Sequence, residues 1–323
     1  MKIIVTGCAG FIGYHVCAAL AKLRHTVIGI DNLNQYYDVQ LKLSRLQNLK
    51  SFDEFTFQEM DLLDKGDLKK LFKQHDDCET IMHLAAQAGV RYSVENPKSY
   101  IKNNILATTV LFETIKNHLP NISHILNASS SSVYGGNEKI PFSEKDPIDK
   151  PLSIYAATKA SAELISHSYT HQYALPISTL RFFTVYGPYG RPDMIPCLFT
   201  KAIMDDKPIT LYNKGMLKRD FTYIDDIING LISLINKGYD KDHHLFNLGN
   251  HKPIEVKYFV SCLEKILDKK AVIKHHETPS TEPDETYANI KTAKTHFNFN
   301  PKIEIEEGLE SYVRWYKQYY HNL

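Results

Sequence analysis

Cysteines, excess charge and long apolar runs are all scarce in this chain of 323 residues. The five cysteines are scattered without a Cys-x-x-Cys pair, which is typical of reduced thiols and argues against a disulfide framework or a zinc site. The 38 basic and 37 acidic residues nearly balance, so the charge indicates neither a nucleic-acid nor a membrane partner. The apolar N-terminus is interrupted by Gly7 and is too short for a signal peptide, and no run could span a membrane. We therefore expect a cytoplasmic protein.

Strand-like apolar runs alternate with helix-like segments through the first half of the chain. The strand-like runs are KIIVTG, TVIGID, FTFQEMDL, TIMHLAA, HILNASS and PISTLRFF, and long helix-like segments cover Pro97–Asn117 and Tyr155–Tyr173. Runs this apolar are typical of strands that are buried on both faces. The alternation predicts the α/β class, with a doubly wound parallel sheet covered by helices on both faces.

The first strand leads into the stretch TGCAGFIG, in which Gly7, Gly10 and Gly13 stand three apart. Glycines between a strand and a helix let the backbone approach a pyrophosphate, which the helix N-terminus binds through its N–H groups and its dipole. The second strand ends in Asp31, whose carboxylate can bond both ribose hydroxyls of an adenosine and would repel a 2′-phosphate. Asp61, after the third strand, could meet the adenine amine. The pattern predicts a Rossmann-type site for NAD rather than NADP.

A second motif, YAATK, puts Tyr155 and Lys159 on one face of a helix, one turn apart. The serine run SSSSVYG lies upstream, at the end of a predicted central strand, where the ligand crevice of such sheets opens. An unperturbed tyrosine has a pKa of about 10, and lowering it to near neutrality takes roughly 4 kcal/mol. A lysine ammonium and a cationic nicotinamide both favour the phenolate. We therefore predict Tyr155 as the proton acceptor and Lys159 as its activator, with the substrate oxygen held by Ser130, Ser131 and Ser132.

The glycine motif, the serine-rich strand end and the YxxxK motif together resemble extended short-chain dehydrogenase/reductases that act on nucleotide-sugars. The resemblance runs over almost the whole chain. More narrowly, the segments DNLNQYYD, HLAAQAGVRYSVENPKSYIKNN, GPYGRPDM and KRDFTYIDDI resemble UDP-glucuronate 4-epimerases. This resemblance implies an isomerase that uses NAD, takes a UDP-sugar substrate and serves polysaccharide biosynthesis.

The residues before Val133 distinguish the reactions of this family. Related 4,6-dehydratases carry an Asp–Glu pair there and related decarboxylases carry a glutamate, whereas this chain has Ser131 and Ser132. A site without an added acid can oxidise C4 and reduce it on the other face, which converts UDP-glucuronate to UDP-galacturonate. Three alternatives stay open: 4-epimerisation of another NDP-hexose or of a UDP-N-acetylhexosamine or its uronate, net C4 oxidation or reduction, and non-catalytic NAD sensing.

The resemblance also implies which residues contact each ligand. Thr184 and Arg191 would hold the sugar carboxylate, so that the 4-keto acid does not lose CO2. Arg219 would bind a phosphate and Phe183 would cover the nicotinamide. The implied cofactor set is Gly7, Gly10, Phe11, Ile12, Gly13, Asp31, Asn32, Asn34, Asp61, Leu62, Leu84, Ala85, Ala86, Gln87, Asn103, Tyr155, Lys159 and Phe183, with Tyr14 nearby. The implied substrate set is Arg91, Ser130, Thr184, Arg191, Asp193, Thr210, Tyr212 and Arg219.

We predict two domains. Residues 1–187 with about 216–250 form the NAD-binding Rossmann domain, and about 188–215 with 251–323 form a smaller C-terminal α/β domain for the nucleotide-sugar. Family members often pair through two long helices, so the resemblance implies a homodimer with a four-helix interface built from Pro97–Asn117 and Tyr155–Tyr173.

One segment departs from the family pattern. The stretch TPSTEPDETYANI, Thr278–Ile290, lacks the Pro-Gly-Asp of these epimerases and places Glu282 and Asp284 near the expected diphosphate. Acids that face a diphosphate would weaken its binding. The histidine pairs at 243–244 and 275–276 do not predict a metal site, because neighbours in a strand point to opposite faces.

Overall fold

A computed structural model of the chain describes residues 1–238, 242–279 and 283–321. The chain forms two compact units. The first consists of Met1–Gly135, Pro147–Arg181 and Leu231–Phe246, and the second of Gly136–Asp146, Phe182–Gly230 and Asn247–Leu323.

Strands and helices alternate in the order expected of an α/β protein. The strands are β1 (Lys2–Thr6), β2 (Thr26–Asp31), β3 (Phe55–Glu59), β4 (Thr80–His83), β5 (His124–Ser130), β6 (Ile177–Phe182), β7 (Thr184–Tyr186), β8 (Pro208–Tyr212), β9 (Lys218–Arg219), β10 (Phe221–Tyr223), β11 (His244–Leu248), β12 (Ile254–Glu255) and β13 (Val272–His276). The α-helices are α1 (Phe11–Lys22), α2 (Val39–Leu49), α3 (Lys65–Gln74), α4 (Tyr92–Glu95), α5 (Pro97–Tyr100), α6 (Ala107–His118), α7 (Ile154–Tyr173), α8 (Ile195–Met204), α9 (Ile224–Lys237), α10 (Val256–Leu267), α11 (Lys291–Phe297) and α12 (Ile305–His321).

A seven-stranded sheet has the strand order β11-β6-β5-β4-β1-β2-β3. The neighbours from β3 through β5 pair in parallel, and Ile4 of β1 lies between Ile28 of β2 and Ile81 of β4. The order reverses between β1 and β4, so the crevice outside the carboxyl ends of these two strands is where a ligand of such a sheet binds. The predicted doubly wound sheet is confirmed.

One face of this sheet packs against α3 and α6. Ile4, Ile28 and Ile81 join Leu71 of α3 and Phe112 of α6 in one buried apolar cluster. The intervening strand residues point to the opposite face because side chains alternate along a strand. On that face α1 packs against β1 and β2. These two layers fix the strand ends from which the candidate site is built.

The run Pro97–Asn117, predicted as one helix, is divided in the structure. It consists of α5, a π-helical segment over Ile101–Leu106, and α6. The π-helical turn buries Asn104, whose side chain bonds other parts of the chain. Tertiary contacts of this kind leave no periodic signal in a sequence. The helix α2 was not predicted from the sequence either.

The second unit is a smaller α/β arrangement of short sheets and helices. Strands β8 and β13 pair in parallel, as do β7 and β10, whereas β9 and β12 are antiparallel. Helix α12 packs against α10, and its Tyr312 and Tyr316 are almost fully buried. Asp220 is fully buried and accepts backbone N–H bonds from Asn250, His251 and Ala288.

All five cysteines are buried free thiols. Within the described ranges, no helix combines the length and the apolar character that a membrane crossing needs. In the same ranges, no three His, Cys, Asp or Glu side chains come together in a group that could hold a metal ion.

Candidate active site

The glycine stretch closes a tight turn between β1 and α1. The N–H of Gly7 donates to the carbonyl oxygen of Ile30 at 2.7 Å, and Gly7 has a φ of +75°, which favours glycine. A Cβ on Gly13 would lie 2.0 Å from the carbonyl oxygen of Gly7, and one on Gly7 would lie 2.7 Å from the backbone nitrogen of Ala85. Side chains are therefore excluded at both positions by backbone alone.

The N-terminus of α1 is suited to an anion. Its N-cap residue is Gly10, which provides no side-chain cap, and its first turn carries no acidic residue. Phe11 and Ile12 follow directly, so their backbone N–H groups lie in the first turn, where helix N–H groups have no intrahelical partner. A pyrophosphate is the group that such a glycine-rich helix start accepts. The residues present therefore fit the phosphate part of a dinucleotide.

A polar cluster at the ends of β2 and β3 fits the adenosine part. The Asp31 carboxylate is buried and accepts N–H bonds from Ala9 at 3.1 Å and Leu33 at 2.9 Å. Burial raises the pKa of Asp31, although these two bonds and the nearby Lys42 oppose the effect. Asn32 Nδ2 donates to Asp61 Oδ2 at 3.2 Å. Asp61 lies two residues beyond β3, and Asn32 directly follows Asp31 in the sequence. This hydrogen bond therefore brings the ends of β2 and β3, with both predicted carboxylates, together.

Two buried cations of α2 support this cluster and were missed by the sequence analysis. Lys42 Nζ donates to the backbone and side-chain oxygens of Asn34, at 2.7 and 3.0 Å. Arg45 Nη1 donates to the carbonyl oxygen of Ala9 and to Tyr37 Oη, both at 2.7 Å. Lys42 is 4% exposed and Arg45 is 0% exposed, so neither is the solvated surface charge that its residue type suggests. Tyr14 Oη on α1 accepts from the side chain of Asn48, also on α2, at 3.3 Å.

The segment that follows β4 is held in place by a series of hydrogen bonds whose donors and acceptors can all be assigned. Thr108 Oγ1 donates to a backbone carbonyl oxygen, so it accepts from His83 Nε2 at 3.0 Å. His83 Nδ1 then accepts from Thr6 Oγ1 at 2.8 Å, and Thr6 Oγ1 accepts from the N–H of Ala85. Burial lowers the pKa of His83 to about 3, which agrees with a neutral ring. This chain fixes Ala85, and with it Leu84 and Ala86, beside Gly7.

Gln87, further along the same segment, is bonded through Asn104. The N–H of Gln87 donates to Asn104 Oδ1 at 2.8 Å, and Asn104 Nδ2 donates to the Gln87 carbonyl oxygen and to Thr158 Oγ1 on α7, both at 3.0 Å. The predicted Asn103 instead donates to the carbonyl oxygen of Ser99 at 2.8 Å. The buried amide that joins this segment to α7 therefore belongs to Asn104, which follows the predicted Asn103 in the sequence.

Tyr155 and Lys159 lie in the first two turns of α7, whose N-cap Ser153 accepts from the N–H of Ala156 at 3.1 Å. Tyr155 is half-buried and its ring packs edge-on against Tyr100, with centroids 6.0 Å apart. Lys159 is 6% exposed, and its Nζ donates to the Ala128 carbonyl oxygen at 2.8 Å. Burial lowers the pKa of Lys159 to about 8.

The predicted serines begin at the end of β5, two residues after Ala128. Ser130 Oγ donates to Ser132 Oγ at 3.2 Å and accepts from the N–H of Ser132. Ser131 and Ser132 are half-buried in the 3₁₀ turn Ser131–Tyr134. Lys159 is bonded to Ala128, which lies two residues before Ser130. Helix α7 and the serine segment are therefore close together within the first unit. A phenol, an ammonium and serine hydroxyls are groups that can together move a proton to or from a bound hydroxyl group.

The remaining predicted positions lie in the second unit, except for Arg91, which is exposed in the first. Arg191 Nε donates to Asp193 Oδ1 at 3.0 Å and its Nη2 donates to Asp193 Oδ2, so these two predicted residues form a bidentate ion pair. Phe183 is buried and Thr184 is half-buried at the start of β7. Thr210 is exposed and Tyr212 is half-buried, both on β8.

The departing segment after β13 contacts Arg219. Arg219 Nη1 donates to the carbonyl oxygens of Lys218 at 2.9 Å and Asp284 at 3.4 Å. The N–H of Lys218 donates to the same Asp284 oxygen, and the Asp284 side chain is exposed. The backbone of Asp284 thus serves as an acceptor for the predicted phosphate-binding arginine. Glu282 lies outside the described residues.

Comparison with known proteins identifies the family. Residues 3–249 match the model of the NAD dependent epimerase/dehydratase family, to which the chain belongs. UDP-glucuronate 4-epimerase 1 of Arabidopsis thaliana is 47% identical, over 99% of this chain and 77% of that protein. Protein CapI of Staphylococcus aureus is 44% identical, over 99% of both chains. The family predicted from the sequence is confirmed.

Solved structures agree with this assignment. The UDP-glucuronic acid 4-epimerase of Bacillus cereus, solved in complex with UDP-glucuronic acid and NAD, has a TM-score of 0.93 and 37% identity, and the match covers 99% of this chain and 100% of that one. UDP-glucose 4-epimerase of Thermotoga maritima, solved with UDP-glucose, has a TM-score of 0.86 and 29% identity, covering 98% of this chain and 99% of that one.

Proposed function

We propose that this protein is an isomerase that converts UDP-glucuronate to UDP-galacturonate by NAD-dependent 4-epimerisation. The observation that carries the proposal is the match along almost the whole chain to the Bacillus cereus enzyme solved with UDP-glucuronic acid and NAD. The Arabidopsis relative with the same named activity, which is 47% identical, supports it. Within the first unit, the arrangement of Tyr155, Lys159 and Ser130 supplies the groups that the reaction needs.

The cofactor-binding residues fit NAD. The turn at Gly7–Gly13 and the uncapped start of α1 would hold the pyrophosphate, and Asp31 would accept from the adenosine ribose hydroxyls. A desolvated carboxylate at this position disfavours a second anion, so NAD is preferred to its 2′-phosphorylated form. When bound, NAD supplies reversible hydride transfer at C4 of the sugar.

The proton of the C4 hydroxyl is moved by the side chains of the first unit. Tyr155 Oη takes this proton during oxidation and returns it after the 4-keto sugar has turned over. Lys159 remains on α7 one turn away, where its ammonium favours the phenolate form of Tyr155. Ser130 positions the C4 oxygen by hydrogen bonding. Serines stand at 131 and 132, where related dehydratases and decarboxylases carry acids, so the 4-keto sugar is reduced again rather than dehydrated or decarboxylated.

Residues of the second unit bind the sugar-nucleotide in this proposal. Arg191 and Thr184 hold the uronate carboxylate, with Arg191 exchanging part of its bidentate pairing with Asp193 for the substrate. Arg219 binds a phosphate, and its bond to the Asp284 backbone keeps the guanidinium in place. Thr210 and Tyr212 on β8 run along the uridine.

The domain roles, the assembly and the location are part of the same proposal. We assign NAD binding to the first unit and nucleotide-sugar binding to the second. The bounds of the units differ from the predicted ones, because 136–146, 182–187, 216–230 and 247–250, which were predicted for the NAD-binding domain, belong to the second unit. Leu106 and Leu164, which are 50% and 65% exposed near α6 and on α7, suit a homodimer built from these helices. Five free thiols suit the reducing cytoplasm.

The test is incubation of the purified protein with UDP-glucuronate and NAD, followed by separation of the UDP-sugars and monitoring of NADH absorbance. We expect UDP-galacturonate to form without build-up of NADH. Formation of UDP-xylose, or accumulation of NADH as the substrate is consumed, would show that the protein catalyses a reaction other than epimerisation. UDP-glucose and UDP-N-acetylglucosamine are run in parallel, and a clear preference for either would reassign the substrate.

A further inference from the structure

A buried ion pair that is not part of the proposed catalytic set lies next to the serine segment. Glu163 on α7 is 4% exposed and Arg181 on β6 is 1% exposed. Arg181 Nε donates to Glu163 Oε1 at 2.9 Å and Arg181 Nη2 donates to Glu163 Oε2 at 2.7 Å, which is the planar bidentate geometry. A charge pair buried this deeply contributes little net stability compared with apolar residues of the same volume. Stability alone therefore does not explain why this pair is buried.

Each partner of the pair also holds one end of the serine segment. Glu163 Oε1 accepts from Ser129 Oγ, and Arg181 Nη1 donates to Tyr134 Oη at 2.9 Å. The guanidinium carbon of Arg181 also lies 4.7 Å from the centroid of the Tyr134 ring. The six residues from Ser129 to Tyr134 contain Ser130, Ser131 and Ser132. The pair thus fixes this segment at its first and last residues.

The same pair continues the contact between α7 and β5. Lys159 Nζ bonds the Ala128 carbonyl oxygen at 2.8 Å, and Glu163, one turn further along α7, bonds the next residue of β5. Asn127 Nδ2 donates to Ser166 Oγ at 2.8 Å, which extends the contact by another turn. The orientation of α7 about its own axis, and with it the position of Tyr155, is therefore set against the strand that ends in the serines.

We propose that Glu163 and Arg181 are positioning residues that fix the serine segment Ser129–Tyr134 relative to Tyr155 and Lys159. This inference rests on the proposed function. Neither residue touches the reacting atoms; both act through Ser129, Tyr134 and α7.

Glu163 has a second effect that a purely structural residue lacks. Glu163 shares the helix of Lys159 and interacts with its ammonium, and His83 interacts with it from β4 as a neutral ring. Arg181 on β6 is paired with Glu163. The Glu163 carboxylate favours the protonated form of Lys159, against the effect of burial. Removal of this carboxylate therefore lowers the pKa of Lys159, and the loss of turnover at alkaline pH begins at a lower pH.

The experiment compares Glu163→Gln, Arg181→Met and the apolar double variant Glu163→Leu/Arg181→Met with the wild type. For Glu163→Gln we expect kcat for UDP-glucuronate to fall about tenfold to a hundredfold with KM changed less than threefold, because a small misplacement affects the reacting geometry most. The alkaline limb of the pH profile of kcat should shift to lower pH by roughly one unit. The double variant should regain thermal stability over either single variant, while its kcat stays low.

Glu113→Gln is the matched control. Glu113 is a carboxylate on α6 that accepts from Tyr169 Oη of α7 at 2.7 Å and from Lys116, away from the serine segment. Its replacement should change thermal stability without moving the alkaline limb. The proposal is overturned if the alkaline limb of Glu163→Gln coincides with that of the wild type, or if the apolar double variant regains the wild-type kcat.

A second measurement separates this inference from the proposed function. NMR titration of the Lys159 ammonium in protein labelled at the lysine ε-carbon, assigned with Lys159→Met, reports its pKa without turnover. If the wild type epimerises none of the UDP-sugars, the proposed function fails. A Lys159 pKa that drops in Glu163→Gln still supports the coupling, and one that is unchanged refutes it.

Discussion

Replacement of Gly13 by alanine tests whether the turn between β1 and α1 is built for close backbone approach. The new Cβ would lie 2.0 Å from the Gly7 carbonyl oxygen, 2.8 Å from the Gly7 carbonyl carbon and 3.0 Å from Cys8 Cα. All three are backbone atoms, so no flexible side chain can yield. The turn must move by about 1.4 Å to bring this 2.0 Å approach to the 3.4 Å of an ordinary contact. The cost therefore lies at or above the upper end of the ~1–3 kcal/mol range for overpacking.

The displacement acts on cofactor binding as well as on stability, because Gly7 and the first turn of α1 belong to the proposed pyrophosphate site. Loss of one hydrogen bond to a charged group costs about 1.5–3 kcal/mol, which corresponds to a Kd for NAD weaker by roughly tenfold to a hundredfold. Titration calorimetry with NAD, on protein freed of bound nucleotide, measures the Kd, and thermal unfolding measures the loss of stability.

Gly66→Ala is the matched control. A Cβ on Gly66, in the first turn of α3, would lie 3.3 Å from one side-chain oxygen of Asp64. Alanine is favoured over glycine in a helix by about 1 kcal/mol, so this variant should be as stable as the wild type or more so, with an unchanged Kd. A Gly13→Ala protein that binds NAD within threefold of the wild type would refute the assignment of this turn to the pyrophosphate.

Three further predictions concern the catalytic helix and the second unit. Tyr155→Phe should lose turnover by roughly a hundredfold to ten-thousandfold while binding NAD normally in calorimetry; wild-type turnover would show that Tyr155 is not the proton acceptor. Because burial lowers the pKa of Lys159 to about 8, turnover should fall as pH rises through about 8, and a pH profile that stays flat to pH 10 would contradict this. Asp220→Asn should destabilise the protein by about 2–4 kcal/mol in denaturant unfolding, because an amide nitrogen would face backbone N–H groups that now donate to the carboxylate; an unchanged midpoint would show that these bonds are replaceable.

The parts of the fold that were predictable carry a strong local signal. The strand β2 has the bounds that its apolar run indicates, and the glycine turn follows β1 as the motif requires. The first turns of α7 were predictable because YAATK fixes the spacing of Tyr155 and Lys159. Local pattern and tertiary structure agree at these positions, so a sequence alone can reveal them.

The features that were missed depend on contacts between distant residues. Helix α2 buries Lys42 and Arg45, which count as polar in any periodic pattern, because the loop at Asn34 and the carbonyl oxygen of Ala9 accept from them. Asn104 is buried in a π-helical turn only because Gln87 and other groups outside the helix satisfy its amide. A single sequence does not show which charged or amide side chain will find such a partner.

The burial of every native thiol makes this protein convenient for spectroscopic labelling. Cys8, Cys17, Cys78, Cys197 and Cys262 are all less than 10% exposed, and burial raises the pKa of each. A maleimide dye should therefore leave the folded wild type nearly unmodified. A cysteine introduced at exposed Lys73 on α3 would then accept a single fluorophore, with none of the natural thiols removed.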